Sequence, residues 1–233
     1  MNKISLLNTA PICYNHNSDR GLVLFMLENK LYYMLNKPRG YITARKDEVH
    51  HTVMEFFPPE LSERLFPVGR LDKDTEGLLL FTDDGQFDQR LMHPDNHASK
   101  TYLLYAMGRL SAEAVDRIEK GQWLTGEEKI TKSARITIIE EGRYEEFEGR
   151  FTPKKRLRDN EFNRNRPVFA ARLTIWEGRK HQVKRMLLAE GCRVIYLKRL
   201  EIAGVALDES LAPGEYRALT DREYEILSGK ILP

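Results

Sequence analysis

The sequence predicts an α+β fold. Short apolar or alternating runs bounded by turn residues read as strands, and the helical patterns carry caps and a one-sided apolar face. The two kinds of element do not alternate in the regular βαβ rhythm of a parallel sheet.

Residues 1–29 carry little pattern: Asn, Ser and Asp cluster from Asn15 to Asp19, and one short apolar run spans Leu22 to Leu27. Leu31 to Leu35 reads as a strand by its aromatic and branched side chains, ending in a Pro-Gly turn, Asn36-Lys37-Pro38-Arg39-Gly40. That turn is expected to present Lys37 and Arg39 to phosphate. Thr52 is expected to cap a short helix from Val53 to Phe57, which Pro58-Pro59 stops. Leu78-Leu79-Leu80-Phe81 reads as a buried strand and Gly85 to Met92 as a short helix. In the loop that follows, His93 and His97 are four apart, but Pro94 keeps them off one helical face and no third ligand is near, so no metal site is expected.

Lys100 to Tyr105 reads as a strand. Ser111 N-caps a helix reaching Lys120, with Ala114, Val115 and Ile118 on one face and Gly121 as its stop. Ala134 to Ile139 alternates like a half-buried strand. Glu140 to Gly149 is acidic and Arg150 to Pro167 basic and nearly free of aliphatic residues. Together they predict a mobile loop, about 141–167, inserted between two strands, with Phe151 and Phe162 placed to stack on bases. Val168 to Trp176 returns as a strand. Glu177-Gly178-Arg179-Lys180 then leads into a helix from His181 to Glu190 that buries Val183, Met186 and Leu187. Val194 to Arg199 and Ile202 to Leu207 read as two further strands, Leu211 to Arg217 as a turn, and Thr220 to Glu223 as the capping box of a last helix.

The 233 residues suffice for one large domain or two small ones, and 41% hydrophobic with 31% charged residues is an ordinary globular composition. No apolar run approaches the ~20 residues of a membrane helix, and no secretory leader is visible. Cys13 and Cys192 are too few for a disulfide framework or a cysteine-built zinc site. The expectation is a cytoplasmic monomer with no membrane partner. Net charge is only +2, yet Arg150 to Arg185 holds twelve Lys and Arg against three Asp and Glu. Such a stripe is the footprint of polyanion binding, and within it Arg179, Lys180, His181, Gln182 and Arg185 are candidate RNA contacts.

The stretch with the most chemistry is Gly69-Arg70-Leu71-Asp72-Lys73-Asp74-Thr75-Glu76-Gly77, a charged loop feeding the Leu78–Phe81 strand. An aspartate on a loop held by a rigid scaffold suits nucleophilic work. Three other readings fit the residues. Asp72, Asp74, Glu76, Gly77 and Asp83 fall at the first, third, fifth, sixth and twelfth positions of an EF-hand loop, though the expected flanking helix is broken at Phe66-Pro67. Asp72 and Asp74 are spaced like a phosphotransferase pair, though the strand follows rather than precedes them. A solvated turn is the fourth.

Resemblance separates them. Gly69-Arg70-Leu71-Asp72, with Thr75, Gly77 and the Leu-rich strand, resembles the signature of the RsuA-type ribosomal RNA pseudouridine synthases. Asn36-Lys37-Pro38-Arg39-Gly40, Lys100-Thr101-Tyr102, Gly178-Arg179-Lys180-His181-Gln182-Val183-Lys184-Arg185-Met186 and Leu211 to Arg217 are similar to further motifs of that family, in the same order from Leu31 to Leu227. The resemblance implies a pseudouridine synthase fold over 30–233: a mixed, mainly antiparallel sheet with flanking helices and a central active-site cleft. It implies isomerisation of uridine to pseudouridine with no cofactor and no metal. Asp72 is then the catalytic aspartate, Tyr102 the base-stacking ring and Lys184 the charge partner of the aspartate. Arg70 and Leu197 line the site. The implied partner is ribosomal RNA or a pre-ribosomal particle. His181-Gln182-Val183-Lys184 is most similar to the small-subunit member, whereas the inserted loop and the lack of a recognisable S4-type domain in 1–29 are more similar to large-subunit members. Small-subunit RNA is the expected target; the alternatives are a synthase acting on large-subunit RNA and a non-catalytic RNA-binding or ribosome-assembly protein on the same fold.

Overall fold

The computed structural model describes residues 30–93, 96, 98–151 and 160–232; the patterns noted in 1–29, at His97 and across 152–159 lie outside them. Nine strands form one sheet in the described residues. They are β1 (Tyr32–Lys37), β2 (Phe66–Val68), β3 (Glu76–Thr82), β4 (Lys100–Met107), β5 (Ala134–Arg143), β6 (Pro167–Ile175), β7 (Arg193–Ile202), β8 (Val205–Ala206) and β9 (Tyr216–Ala218). Their order is β5-β6-β4-β7-β3-β1-β9, with β2 on β3 and β8 on β7. Every pairing is antiparallel except β3 with β7, so the α+β, mainly antiparallel expectation holds.

The apolar run of β3 is continuous because both faces of that strand are covered. Leu79 and Phe81 join Leu35, Leu104, Leu173, Met186 and Leu187 in one core. Leu78 and Leu80 join Met34, Phe87, Leu91, Ile202 and Leu227 in another on the opposite face. Helix α1 (Pro59–Ser62) is a single turn, and the 3-10 turn Val53–Phe56 before it starts with a complete capping box from Thr52 to Glu55. Helices α2 (Gly85–Met92) and α3 (Ala112–Lys120) begin at Asp84 and Ser111, whose side chains accept from backbone amides of the first turn.

Three expectations change. The inserted segment is largely ordered where described: β5 runs on to Arg143, and short helices α4 (Tyr144–Phe147) and α5 (Glu161–Arg164) flank residues 152–159. Buried Tyr144 and Phe147, with Val168, anchor it to the sheet. Phe151 is not offered to bases, because its ring stacks on Tyr105 at 4.6 Å; Phe162 is 75% exposed, with Arg166 over its ring. Ile202 to Leu207 is a tight hairpin, β7 turning through Ala203-Gly204 into β8, rather than one strand.

The third change concerns Lys37. The strand continues through it before Pro38 breaks the ladder, and its side chain is fully buried. Its Nζ donates to the carbonyls of Pro38 (3.0 Å), Asp72 (3.3 Å) and Thr75 (2.9 Å). Burial pushes its pKa down to about 8 against the pull of Glu76, Asp74 and Asp72. Lys37 is thus an internal staple for the 69–75 loop and not a phosphate contact. Thr43 adds a second staple, its Oγ1 donating to Leu71 O and accepting from Leu71 N, and Gly40 N donates to Lys73 O.

Two chemistries anchor the start of β3. Its parallel join to β7 consists of Glu76 opposite Lys198 and Gly77 opposite Arg199. Buried Arg199 extends that short ladder, its Nε donating to Leu78 O at 2.7 Å. Tyr196 donates to Glu76 Oε2 at 3.0 Å, and burial followed by that carboxylate holds its phenol protonated, with a raised pKa. Gly77 has φ +97, and a Cβ there would stand 2.2 Å from Arg199 O. Gly77→Ala is therefore expected to cost about 3 kcal/mol or more, through backbone strain added to a steric clash with main chain. Urea unfolding of the two proteins measures it.

Lys100 gives a contrasting prediction. It is buried with one hydrogen bond, Nζ to Ala98 O at 2.9 Å, and its pKa falls to about 8 through burial first and then repulsion by Arg199 and Lys132. The unfolded chain holds this proton up to its ordinary lysine value and the folded chain releases it earlier. Ionised Lys100 therefore costs stability in full below pH 8, and the cost fades as pH rises towards the unfolded pKa. Lys100→Met should raise stability by about 1–3 kcal/mol at pH 7. The advantage should shrink above pH 8 in paired thermal melts.

Candidate active site

The 69–75 loop lies between β2 and β3, braced from below by Lys37 and Thr43, and its tip carries Asp72 half-buried. Opposite stands helix α6 (Gln182–Ala189). Val183, Met186 and Leu187 bury one face of α6 in the core that also holds Leu71, Tyr102 and Leu197. The residues neighbouring Asp72 and Lys184 in sequence thus share one apolar core, and this packing fixes the distance between loop and helix.

Lys184 lies off that buried face and reaches the loop. Its Nζ donates to Asp72 Oδ2 at 2.6 Å and to Asp74 Oδ1 at 2.5 Å. These are charge-assisted lengths. One ammonium therefore serves two carboxylates, leaving Asp72 Oδ1 turned towards His181, whose Nε2 is 3.5 Å away. The sequence offers Asp74 only in the calcium-loop and phosphotransferase readings, not as a partner of Lys184. The signal was there in the Asp-x-Asp spacing, and a turn at Lys73-Asp74, closed by Thr75 N donating to Asp72 O at 3.0 Å, brings both carboxylates to one ammonium.

The remaining expected residues divide. Tyr102 lies on β4 opposite Arg199 and Leu173, 7% exposed, so its ring is largely core. Leu197 is buried beside it, opposite Leu104. Arg70 and Lys180 are exposed, and Arg39 is half-buried. Gln182 is buried: its Oε1 accepts from Arg179 N and its Nε2 donates to Glu177. Arg179 donates to the carbonyls of Lys129 and Ile130 and to Glu177. Arg185 donates to Glu127 Oε1 at 2.6 Å and to Thr125 O. Of these three expected RNA contacts, Arg179 and Arg185 instead clamp the 122–131 segment to the start of α6 and Gln182 ties α6 back to Glu177, because carboxylates and carbonyls distant in sequence from the arginines lie within reach once the chain is folded.

The calcium reading fails on geometry. The stretch between Asp72 and Asp83 contains a seven-residue strand, which separates the ends of the would-be loop by roughly 20 Å. Asp83 is held by Arg64 and by Leu31 N. Among the described residues no group of three His, Cys, Asp or Glu side chains converges to hold a metal.

Comparison with known proteins agrees with this geometry. The family described as RNA pseudouridylate synthase matches residues 31–189. The chain is 41% identical over 192 residues to the ribosomal small subunit pseudouridine synthase A of Yersinia pestis, covering 82% of this chain and 70% of that one. To the protein of the same name from Escherichia coli (strain K12) it is 40% identical over 192 residues, covering 82% and 71%. A Bacillus subtilis (strain 168) protein, the uncharacterized RNA pseudouridine synthase YtzG, is 40% identical over 199 residues, covering 85% and 73%. Among solved structures, the crystal structure of a pseudouridylate synthase superposes with a TM-score of 0.71 at 37% identity, over 85% of this chain and 74% of that one. The archaeal box H/ACA sRNP Nop10–Cbf5 complex shares the fold, with a TM-score of 0.51 at 17% identity, over 84% of this chain and 54% of that one. With the 69–75 loop, Tyr102 and Lys184 inside the matched span, the chain belongs to the RNA pseudouridylate synthase family.

Proposed function

We propose that this RNA pseudouridine synthase converts a specific uridine of small-subunit ribosomal RNA to pseudouridine, with Asp72 at the ribose. The observation that carries the reading is the Lys184–Asp72 contact at 2.6 Å, which fixes Oδ2 and leaves Oδ1 for substrate. When the bond from C1′ to uracil N1 breaks, positive charge develops on the ribose and a fixed carboxylate stabilises or traps it. Tyr102 offers its open edge to the freed base, and the base turns so that C5 meets C1′. Arg70 helps hold the nucleotide out of its stack, and Arg39 and Lys180 approach phosphates around it. The small-subunit target rests on the names of the relatives and on the His181-Gln182-Val183-Lys184 string. The compartment we assign is the cytoplasm and the working form a monomer; the described residues hold no helix long and apolar enough to cross a membrane.

A pseudouridine map of ribosomal RNA from cells with and without the protein tests target and chemistry together. One site in small-subunit RNA should disappear and return with wild type but not with Asp72→Asn. A missing site in large-subunit RNA would move the target, and an unchanged map would favour a binding protein on the same fold. In vitro, Asp72→Asn should lose about 10³-fold or more in kcat, with RNA affinity changed no more than about twofold.

Lys184→Met leaves Asp72 and Asp74 as neighbouring carboxylates without their shared cation. The rate should fall by about 10²-fold in Lys184→Met, and adding Asp74→Asn, which removes one of the two charges, should recover part of it. Single-turnover rates of the single and double variants test this, and an unchanged rate in Lys184→Met would show that the ammonium does not position the carboxylate.

A further inference from the structure

The geometry points to His181 as a catalytic residue that carries a proton from uracil C5 to N1 in the second half of the reaction. This rests on the pseudouridine reading above and assigns a group to a step that Asp72 and Lys184 leave open.

Among the described residues only His181 and Ala203 are non-glycine residues with positive φ, and His181 sits at φ 53, ψ 29 as the N-cap of α6. A capping side chain would normally accept from the first turn of the helix, but His181 makes no such bond. Its main chain is fixed instead, the carbonyl accepting from Arg185 N at 3.0 Å. The ring is turned to the catalytic loop, Nε2 3.5 Å from Asp72 Oδ1, with the side chain 51% exposed. Lys184 occupies the other oxygen of Asp72. The imidazole therefore lies beside the carboxylate atom that faces the ribose, within reach of a base being rejoined there. The loop contributes Asp72 to its charged surroundings, and Asp74 through the shared ammonium; its own segment contributes Lys180, Lys184 and Arg185.

The chemistry needs such a group. Once C5 has attacked C1′, C5 is tetrahedral, carries both C1′ and its original hydrogen, and N1 is doubly bonded to C6. Neutral Nε2 takes that hydrogen as a proton. The C5–H pair becomes the C5–C6 double bond, and the N1–C6 π pair moves onto N1. The imidazolium then returns the proton to N1, so nothing is gained or lost overall. Imidazole both accepts and gives a proton near neutral pH, and the neighbouring Asp72 carboxylate stabilises the transient cation.

The test uses ribosomal RNA transcribed with uridine or 5-deuterouridine, in single turnovers. Asparagine and glycine both accept positive φ, so His181→Asn and His181→Gly retain the helix start. We expect rates lower by about 10²-fold, a C5 deuterium isotope effect larger than in wild type, and partial rescue of His181→Gly by added imidazole. RNA affinity should stay within about twofold of wild type, as expected of a group acting in chemistry rather than in binding. Wild-type rates in both variants, or slow turnover with no isotope effect and no rescue, would overturn the assignment, and a parallel loss of affinity would make His181 an RNA contact. A wild-type protein that forms no pseudouridine overturns both readings, whereas an active wild type with unaffected variants overturns this one alone.

Discussion

Lys184 joins two segments that lie 112 residues apart in the chain, and the arrangement of the site follows from that single ammonium. It cannot reach Asp72 and Asp74 unless α6 and the 69–75 loop are held at one separation, and an ion pair with both partners partly exposed is too weak to impose it. The separation is set underneath. Leu71 is adjacent to Asp72 and Val183 to Lys184, and both are buried in one core with Tyr102 and Leu197. Apolar burial supplies the energy, and the ion pair reads out the geometry.

The loop has its own support, which is polar. Loops normally run over the surface because their backbone groups need partners; this one turns carbonyls inward and meets them with Lys37 and Thr43. A fully buried lysine is expensive, as its lowered pKa indicates. Two of its three bonds fix the carbonyls of Asp72 and Thr75, and with them the direction of the Asp72 side chain. The short parallel join at Gly77 then sets where β3 begins, so the loop is fixed at its tip and at its exit.

The sequence makes the elements legible because their causes are local. Alternation in 134–139, the caps at Ser111 and Thr220 and the buried run Leu78–Phe81 each follow from a few neighbouring residues. Asp72, Tyr102 and Lys184 are legible for a different reason, the strings that surround them. The fates of the cations are not legible. Lys37 sits beside Pro38 and Gly40, which predict a turn and exposure, and only the distant 69–75 loop reveals why it is buried. Arg185 belongs to a basic stripe on paper but meets Glu127, 58 residues earlier. Partners that far apart come together only in the finished fold, so a count of charges overstates how many point outward.

That bears on how the enzyme discriminates between binding and chemistry. Two carboxylates share one ammonium, so the centre carries an excess negative charge in the presence of an RNA backbone that is itself negative. Such a centre does not favour the ground state, and the cations suited to offset phosphate, Arg70 and Lys180, are exposed. In the proposed mechanism the excess charge matches the transition state, where the ribose becomes positive for as long as the base is detached. Interactions that strengthen only there accelerate the reaction. A second permanent cation bonded to Asp72 would improve affinity and reduce rate, which is a physical reason for Arg179 and Arg185 to be bound to Glu177 and Glu127, while Lys184 holds one oxygen of the aspartate and the imidazole of His181 faces the other.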